Sequence, residues 1–342
     1  MPGTGLALFR SAEQDSFDLG EAWFGLLAGH ALAEGSGARY YAMLDDGIVR
    51  CVLPVRISGR HLVSGLSTFY TTLFRPLFVP GLAPDEFAPL IRRALKDVGA
   101  SSIRLDAMDA RHPSFATTLT ALRLAGLQPF TFFSHGNWYL PAGGRTFDDY
   151  FATLSSRVRN TVRRGEKRLL SGGHVEILAG DTTDELQRAV DDWERIYAAS
   201  WKRPEPFPGF MPGLIRLCAA RRWLRMGIAY HENVPVAAQL WIVNAGRAAI
   251  YKLAYDQAFA RLSAGTVLTA RLMRQVIDEE RVDEVDYLVG DDDYKKDWMT
   301  HRRARLGIVA YDWRHWRGLG GMLLQGIGQA RRRLAGISET GR

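Results

Sequence analysis

Between Val285 and Leu306 the chain reads VDYLVGDDDYKKDWMTHRRARL: an apolar run, one glycine, three aspartates, then Tyr294 and Lys295. A carboxylate can take a proton, a phenol can give one, and an ammonium can hold an anion, so the segment has the parts of a polar reaction site. Strand alternation puts Val285, Tyr287 and Val289 on one face and Asp286 with Leu288 on the other. Aspartate is depleted from strands, so Asp286 implies either a task in catalysis or substrate binding, or a buried partner such as Lys252 or Lys295. Asp291, Asp292 and Asp293 cannot all react, and some must cap the helix that follows. The structural alternative for the whole segment is a solvated turn.

Two other stretches carry polar groups in places that ask for a reason. Ser263-Ala264-Gly265-Thr266 opens a helix, whose first N–H groups lack intrahelical partners and carry the positive end of the dipole. A phosphate can dock there, with Gly265 allowing close approach, the hydroxyls of Ser263 and Thr266 donating, and Arg261 adding charge. Taken alone, such a stretch is an ordinary helix cap. Trp201 and Lys202 end a long amphipathic helix just before RPEPFPGFMPG, which reads as turns too rich in proline for a helix. That loop suits the wall of a site, and equally a plain helix end with Lys202 set against the dipole. Gln239 and Lys252 stand in otherwise apolar strands.

The elements that must hold these residues follow from periodicity. ARYYAMLDDGIVRCVLPVRI is a hairpin turning at Asp46-Gly47. PDEFAPLIRRALKDVGA and HPSFATTLTALRLAG are helices stopped by glycine, separated by the strand SSIRLDAM and followed by the strand FTFFSHGNWYL. PAGG, Pro141 to Gly144, is the best linker. Beyond it come a basic helix, SSRVRNTVRRGEKRLL, with one apolar face and a side suited to an anion, and the helix TDELQRAVDDWERIYAASW, capped by Thr183 or Asp184. Three strands joined by HENVP and NAGR, the glycine-opened helix and a strand over Glu284 to Val289 complete an α/β (α+β) chain of mixed sheets flanked by helices. The expected division is 1–140, 146–312 and a basic amphipathic tail over 313–342.

Bulk properties narrow the function classes. The 342 residues are 47% apolar, enough to bury two cores, and the two cysteines, Cys51 and Cys218, offer neither a disulfide framework nor metal-ligand spacing. A reducing, cytoplasmic compartment and no metal are expected. No stretch of roughly 18 apolar residues suggests a membrane span. The net charge of +7 is concentrated at the end, where six arginines from Trp313 onward face the single acid Glu339. Nucleic acid is therefore not the expected partner.

The order of these elements resembles the Gcn5-related N-acetyltransferase (GNAT) superfamily. The second half is more closely similar to its two-lobed branch, related to FemAB peptidyltransferases and to cellulose-biosynthesis-type acetyltransferases. The likeness rests on SWK (Ser200 to Lys202), VPVAAQLWIV (Val234 to Val243), YKLAYD (Tyr251 to Asp256), LSAGTVL (Leu262 to Leu268) and DYLVGDDDYKKDW (Asp286 to Trp298). It covers about Thr146 to Trp313, and the first half resembles a degenerate copy, giving tandem GNAT-like lobes. Ala264 stands where the branch usually has proline before the helix-opening glycine.

The resemblance implies an N-acyltransferase that moves an acyl group from acyl-CoA to a primary amine. It places Arg261, Ser263, Ala264, Gly265 and Thr266 at the CoA pyrophosphate. Trp201, Lys202, Gln239, Lys252 and Tyr255 become substrate-binding residues, and Asp286, Asp292, Tyr294 and Lys295 the catalytic lining, with Tyr294-Lys295 at the family's recurrent Tyr-Lys pair. An alkyl amine titrates near ~10.4, so a carboxylate or a water chain has to remove its proton before attack. Two rivals stand beside this: a FemAB-type transfer from aminoacyl-tRNA, and a non-catalytic basic protein on RNA or membrane.

From Trp313 to Leu334 apolar residues recur at three- and four-residue steps beside arginines, the pattern either of a helix on an anionic bilayer or of a terminal helix packed on the core. The aromatic stretch STFYTTLFRPLF, Ser67 to Phe78, would suit a lipid-facing entrance. Within the family the bacterial ceramide-synthase group acylates a sphingoid amine, which makes a long-chain lipid amine the specific acceptor expected, at the inner face of the membrane.

Overall fold

The structure is a computed structural model that describes residues 3–59, 61–180 and 183–334. The chain divides into two compact units, Met1–Gly136 with Ala304–Arg342, and Asn137–Arg303.

The first unit opens with α1 (Gly3–Glu13) and α2 (Glu21–His30), then the hairpin of β1 (Ser36–Asp45) and β2 (Ile48–Ser58). Its turn works because Asp46 and Gly47 both take the left-handed region, at φ 46° and 77°, which matches strand twist. Next come β3 (Leu62–Gly65), β4 (Leu77–Phe78), α3 (Pro84–Val98), β5 (Ser102–Met108), α4 (Pro113–Leu124) and β6 (Gln128–Pro141). Proline opens both helices, where its missing N–H costs nothing, and α3 stops at left-handed Gly99. The aromatic stretch from Ser67 departs from expectation: Tyr70, Phe74 and Leu77 are core residues, and Phe69 alone stands 72% exposed.

The second unit runs α5 (Phe147–Thr153), α6 (Ser156–Leu170), β7 (Gly173–Leu178), α7 (Thr183–Ala198), α8 (Phe210–Ala220), β8 (Leu224–His231), β9 (Val234–Asn244) and β10 (Arg247–Tyr255). A 3₁₀ turn at Gln257–Leu262 leads into α9 (Ala264–Arg274), then a π-turn at Gln275–Glu279, β11 (Glu284–Asp286) and α10 (Asp293–Lys296). The cap expected at Thr183 or Asp184 borders residues 181–182, which lie outside the described residues. The proline-rich run is not all turn, because α8 starts inside it at Phe210 with Pro212 in its first turn, where proline is tolerated.

In this unit the strands lie in the order β6-β11-β10-β9-β8-β7. Helix α9 lies on the sheet over Gly227 of β8, where a Cβ would come within 3.0 Å of Leu272. Tyr150, Trp241, Leu272, Met273, Val276 and Val285 meet in the main core, each large apolar side chain contributing roughly 1.5–3 kcal/mol by burial.

The chain then returns to the first unit through β12 (His301–Tyr311) and α11 (Trp316–Leu334), so that residues 304–312 belong with the first unit. The first sheet is ordered β1-β2-β3-β5-β12. Helix α11 turns a glycine side inward: a Cβ on Gly318 would strike the Asp312 carbonyl at 2.0 Å, and one on Gly321 the Tyr311 ring at 2.4 Å. Its apolar side chains face out, with Trp316 77% and Leu324 75% exposed and Leu319, Leu323 and Ile327 exposed beside them.

Candidate active site

The site starts from a strand that ends early. The strand expected over Glu284 to Val289 stops at Asp286, because Leu288 takes a left-handed conformation at φ 54° and Gly290 one at φ 111°. Up to Asp286, β11 pairs parallel with β10, Arg247 opposite Glu284 through Ala249 opposite Asp286. Past it the chain stays with β6, Tyr287 N–H donating to the Trp138 carbonyl at 2.8 Å. Meanwhile β10 runs on to Tyr255 paired with β9. The two central strands therefore part. Alternation fails here as well, since Asp286, Tyr287 and Leu288 are all buried while Val289 is exposed.

A cavity of about 410 Å³ fills the opening. Leu253 and Tyr255 of β10, Tyr287, and Gly265, Thr266 and Thr269 of α9 face it, and Tyr294 with Trp298 closes one end. Arg157 and Thr161 of the basic helix α6 line it too, Arg157 bound through both carboxylate oxygens of Asp297 at 2.7 Å. Helix α6 can lie this close to α9 because of Gly165, whose Cβ would come within 3.0 Å of Val267 and 3.2 Å of the Leu262 carbonyl. The first turn of α9 is aimed by Gln239, which donates to the Gly265 carbonyl and to Thr269 Oγ1, both at 2.8 Å, while Trp241 Nε1 holds its oxygen at 2.9 Å. Ser263, left-handed at φ 55°, makes no side-chain cap bond; its carbonyl takes the N–H groups of Thr266 and Val267 at 3.0 and 3.1 Å, which leaves those of Ala264 and Gly265 at the helix start for a ligand.

The expected residues separate into two groups. Trp201, Gln239, Tyr255, Gly265, Thr266 and Tyr294 share the cavity wall, with Trp201 and Tyr255 rings 4.5 Å apart. The others stand off it. Asp286 is buried in an ion pair with Arg303, accepts from Asn137, and takes the Leu288 N–H at 2.6 Å, and its charge also acts on Lys295. Arg303 also holds Glu284, and although burial alone would lower it, these two carboxylates keep it charged. Lys295 is buried, donating to the Val289 carbonyl at 2.5 Å and to those of Tyr287 and Gly290 at 3.4 Å. It thus satisfies the carbonyls of the chain that has left β10, and Asp292 is its carboxylate partner at 3.4 Å. Burial pushes the Lys295 ammonium down. Lys252 pairs with Glu205, Ala264 packs in the core, and Arg261 is exposed, its carbonyl taken by Arg168 at 2.8 Å.

Three tyrosines, Tyr255, Tyr287 and Tyr294, put phenols on the cavity wall. Burial, with Asp292 beside it, raises the Tyr294 phenol, so it stays protonated and can donate but not act as a base. Tyr287 is raised likewise, chiefly by burial.

Residues 156–296 match the family model described as an acetyltransferase (GNAT) domain. The second unit thus carries a GNAT acetyltransferase domain. Among solved structures it is similar to FemX, at 12% identity and TM-score 0.57 over 84% of this chain and 94% of that one. It is also similar to the C-terminal domain of a putative lysylphosphatidylglycerol synthetase from Agrobacterium fabrum, at 11% identity and TM-score 0.55 over 91% and 93% of the two chains. A tandem GNAT protein from the clavulanic acid biosynthesis pathway matches at 13% identity and TM-score 0.50 over 84% and 93%. These likenesses are of fold. No curated protein sequence matches the chain. Among the described residues no cluster of His, Cys, Asp or Glu could hold a metal ion, and no helix is long and apolar enough to cross a membrane.

Several residues that line or shape the cavity of this GNAT domain were invisible to spacing. Thr269 and Tyr287 look like core positions in sequence, and Gly165 like an ordinary interruption of a basic helix. The signal for α6 was its charge, which marked the helix but not Arg157 and Thr161 as the cavity-facing pair.

Proposed function

We propose that the second unit transfers an acyl group from acyl-CoA to a primary amine. The observation that carries this is the opening of β10 from the chain after β11 directly beside the first turn of α9, so that one cavity offers N–H donors for a pyrophosphate and a slot for a thioester. Ser263, Gly265 and Thr266 with the N–H of Ala264 hold the phosphates, and Arg157 and Arg261 supply charge from either side. As the amine attacks the thioester carbon and the C–S bond breaks, Tyr294 gives its proton to the departing thiolate, and the proton the amine loses passes through water to restore the phenol. Lys295 and Asp286 act at one remove, the first by holding the carbonyls of the separated chain and the second by anchoring it to Arg303 and Asn137. Release of free CoA thiol from a panel of acyl-CoAs, measured with and without amine, tests the proposal; hydrolysis or release that no amine accelerates would refute it.

The acceptor we favour is a long-chain lipid amine met at the inner membrane face. Support comes from α11, whose outward stripe of Trp316, Leu319, Leu323, Leu324 and Ile327 suits the bilayer interface and whose sequence ends in arginines. Co-sedimentation with anionic vesicles, lost when Leu323 and Leu324 become serine, is the expected result. A second reading, transfer from aminoacyl-tRNA, follows the FemX-like fold and predicts activity with charged tRNA in place of acyl-CoA.

A further inference from the structure

A second cavity, of about 350 Å³, lies between the end of α7 and the start of α8, walled by Trp193, Tyr197, Pro204, Pro208 and Met211, with Lys202 as its cation. Lys202, Lys252 and Lys295 gather here with Glu205 and Asp292, and Glu194 stands at the rim. Lys252 is paired with Glu205, and Lys295 with Asp292. Lys202 is half-buried and forms no ion pair among the described residues, Glu205 and Asp292 acting on it from farther off; its ammonium lies 5.6 Å from the Trp201 ring centre. A half-buried cation in a cavity wall gains from an anion bound directly to it, and neither Glu205 nor Asp292 is so bound.

We propose that Lys202 is the receptor for an anionic group, a carboxylate or a phosphate, carried by the acceptor amine, whose apolar body occupies this cavity. This deepens the acyltransferase reading and rests on it. The two cavities are walled by neighbouring residues: Trp201, next to Lys202, lines the reaction cavity, and Lys252, which lies 5.5 Å from the Tyr197 ring centre, precedes Leu253 of the same cavity. An acceptor anchored on Lys202 therefore has its amine at the reaction cavity's wall. Glu194, exposed at the rim, gives the incoming ammonium a first contact. Burial, with Lys252 and Lys295 nearby, lowers the Lys202 ammonium to about 8, the direction expected of a cation whose anion arrives with the ligand.

The test has a binding arm and a turnover arm. Decanoate and decyl phosphate should raise the melting temperature of the wild type, the larger shift naming the anion, while decylamine and inorganic phosphate should not. Lys202→Met should abolish the shift and Lys202→Arg should keep it. In turnover, 2-aminododecanoate should have a KM roughly tenfold below that of 2-aminododecane, and Lys202→Met should erase the difference. Equal shifts in wild type and Lys202→Met, or equal KM values for the two amines in the wild type, would overturn the proposal and leave the acyltransferase standing. If no amine is acylated at all, the acyltransferase reading fails, and the decanoate and decyl phosphate shifts alone decide whether Lys202 is an anion receptor.

Discussion

Asp18 in the first unit and Lys202 in the second are both ionisable groups taken out of water, and their surroundings treat them oppositely. Asp18 is fully buried, yet Ser16 and Thr72 hydroxyls reach it at 2.6 Å and the N–H groups of Thr72 and Leu73 at 3.2 and 2.7 Å. Burial still raises its carboxyl, but each donor opposes that rise. Lys202 has no such company. A buried charge with its hydrogen bonds complete fastens the chain, here the 16–18 turn to the loop at 72–73. One left incomplete, in a cavity wall, is suited to a ligand.

If the second unit is the reactive one, the largest effect belongs to its phosphate cradle. Gly265→Asp should lower turnover by about 10³-fold and remove the thermal protection expected from CoA, since an anion then stands where the proposed pyrophosphate would dock. Wild-type CoA protection in this variant would take α9 out of the site. Tyr294→Phe should cost about 10²-fold in turnover with the KM for acyl-CoA nearly unchanged, because only proton delivery is lost. A parallel rise in KM would recast Tyr294 as a binding residue.

The first unit should answer in stability instead. Asp18→Ala leaves buried donors unpaired and should cost about 2–3 kcal/mol in urea unfolding, with turnover of the folded enzyme intact. Loss of turnover at full stability would erase the contrast between the two groups. Lys202→Met should show the smallest effect and the opposite sign. Its ammonium is held near 8 in the fold against 10.5 ordinarily, so the folded state gives up its proton first. Wild type therefore bears a cost, on the order of 2 kcal/mol, that is present below pH 8 and disappears as pH rises to 10.5. The variant should be the more stable at pH 7, and the gap should close across that window. A gap independent of pH would mean that methionine packing, not charge, is responsible.

Much of the fold was legible in local pattern. The Asp46-Gly47 turn, the glycine stop at Gly99, the amphipathic face of α6 and the three strands β8 to β10 all depend on neighbours in sequence, and periodicity reports neighbours. The cavity was half legible: Gly265, Thr266, Tyr255 and Tyr294 stood in recognisable stretches. Asp286 was marked correctly as a residue needing a reason, but its partner Arg303 sits 17 positions on, in a run that reads as basic surface. Lys295 likewise looked like a group pointing at substrate, whereas its hydrogen bonds run to carbonyls only five to eight residues back. Spacing could not disclose that those carbonyls had lost a strand partner.

What the sequence determined by itself was the inventory and order of elements, a charge balance concentrated in the tail, and a glycine-opened helix after three strands. Helix α11 shows where that ends. Its three- and four-residue apolar steps fit a core-packed helix as well as a surface one, because periodicity defines a face without saying what the face meets. Only the tertiary structure decided that the glycines Gly318 and Gly321 go inward, since only side chains of no size let the helix lie against Asp312 and Tyr311. The same limit governs the candidate site. Where β11 leaves β10 is set by the left-handed turn at Leu288 and by the pairing of Tyr287 with Trp138, and both belong to the assembled sheet rather than to any stretch of the chain.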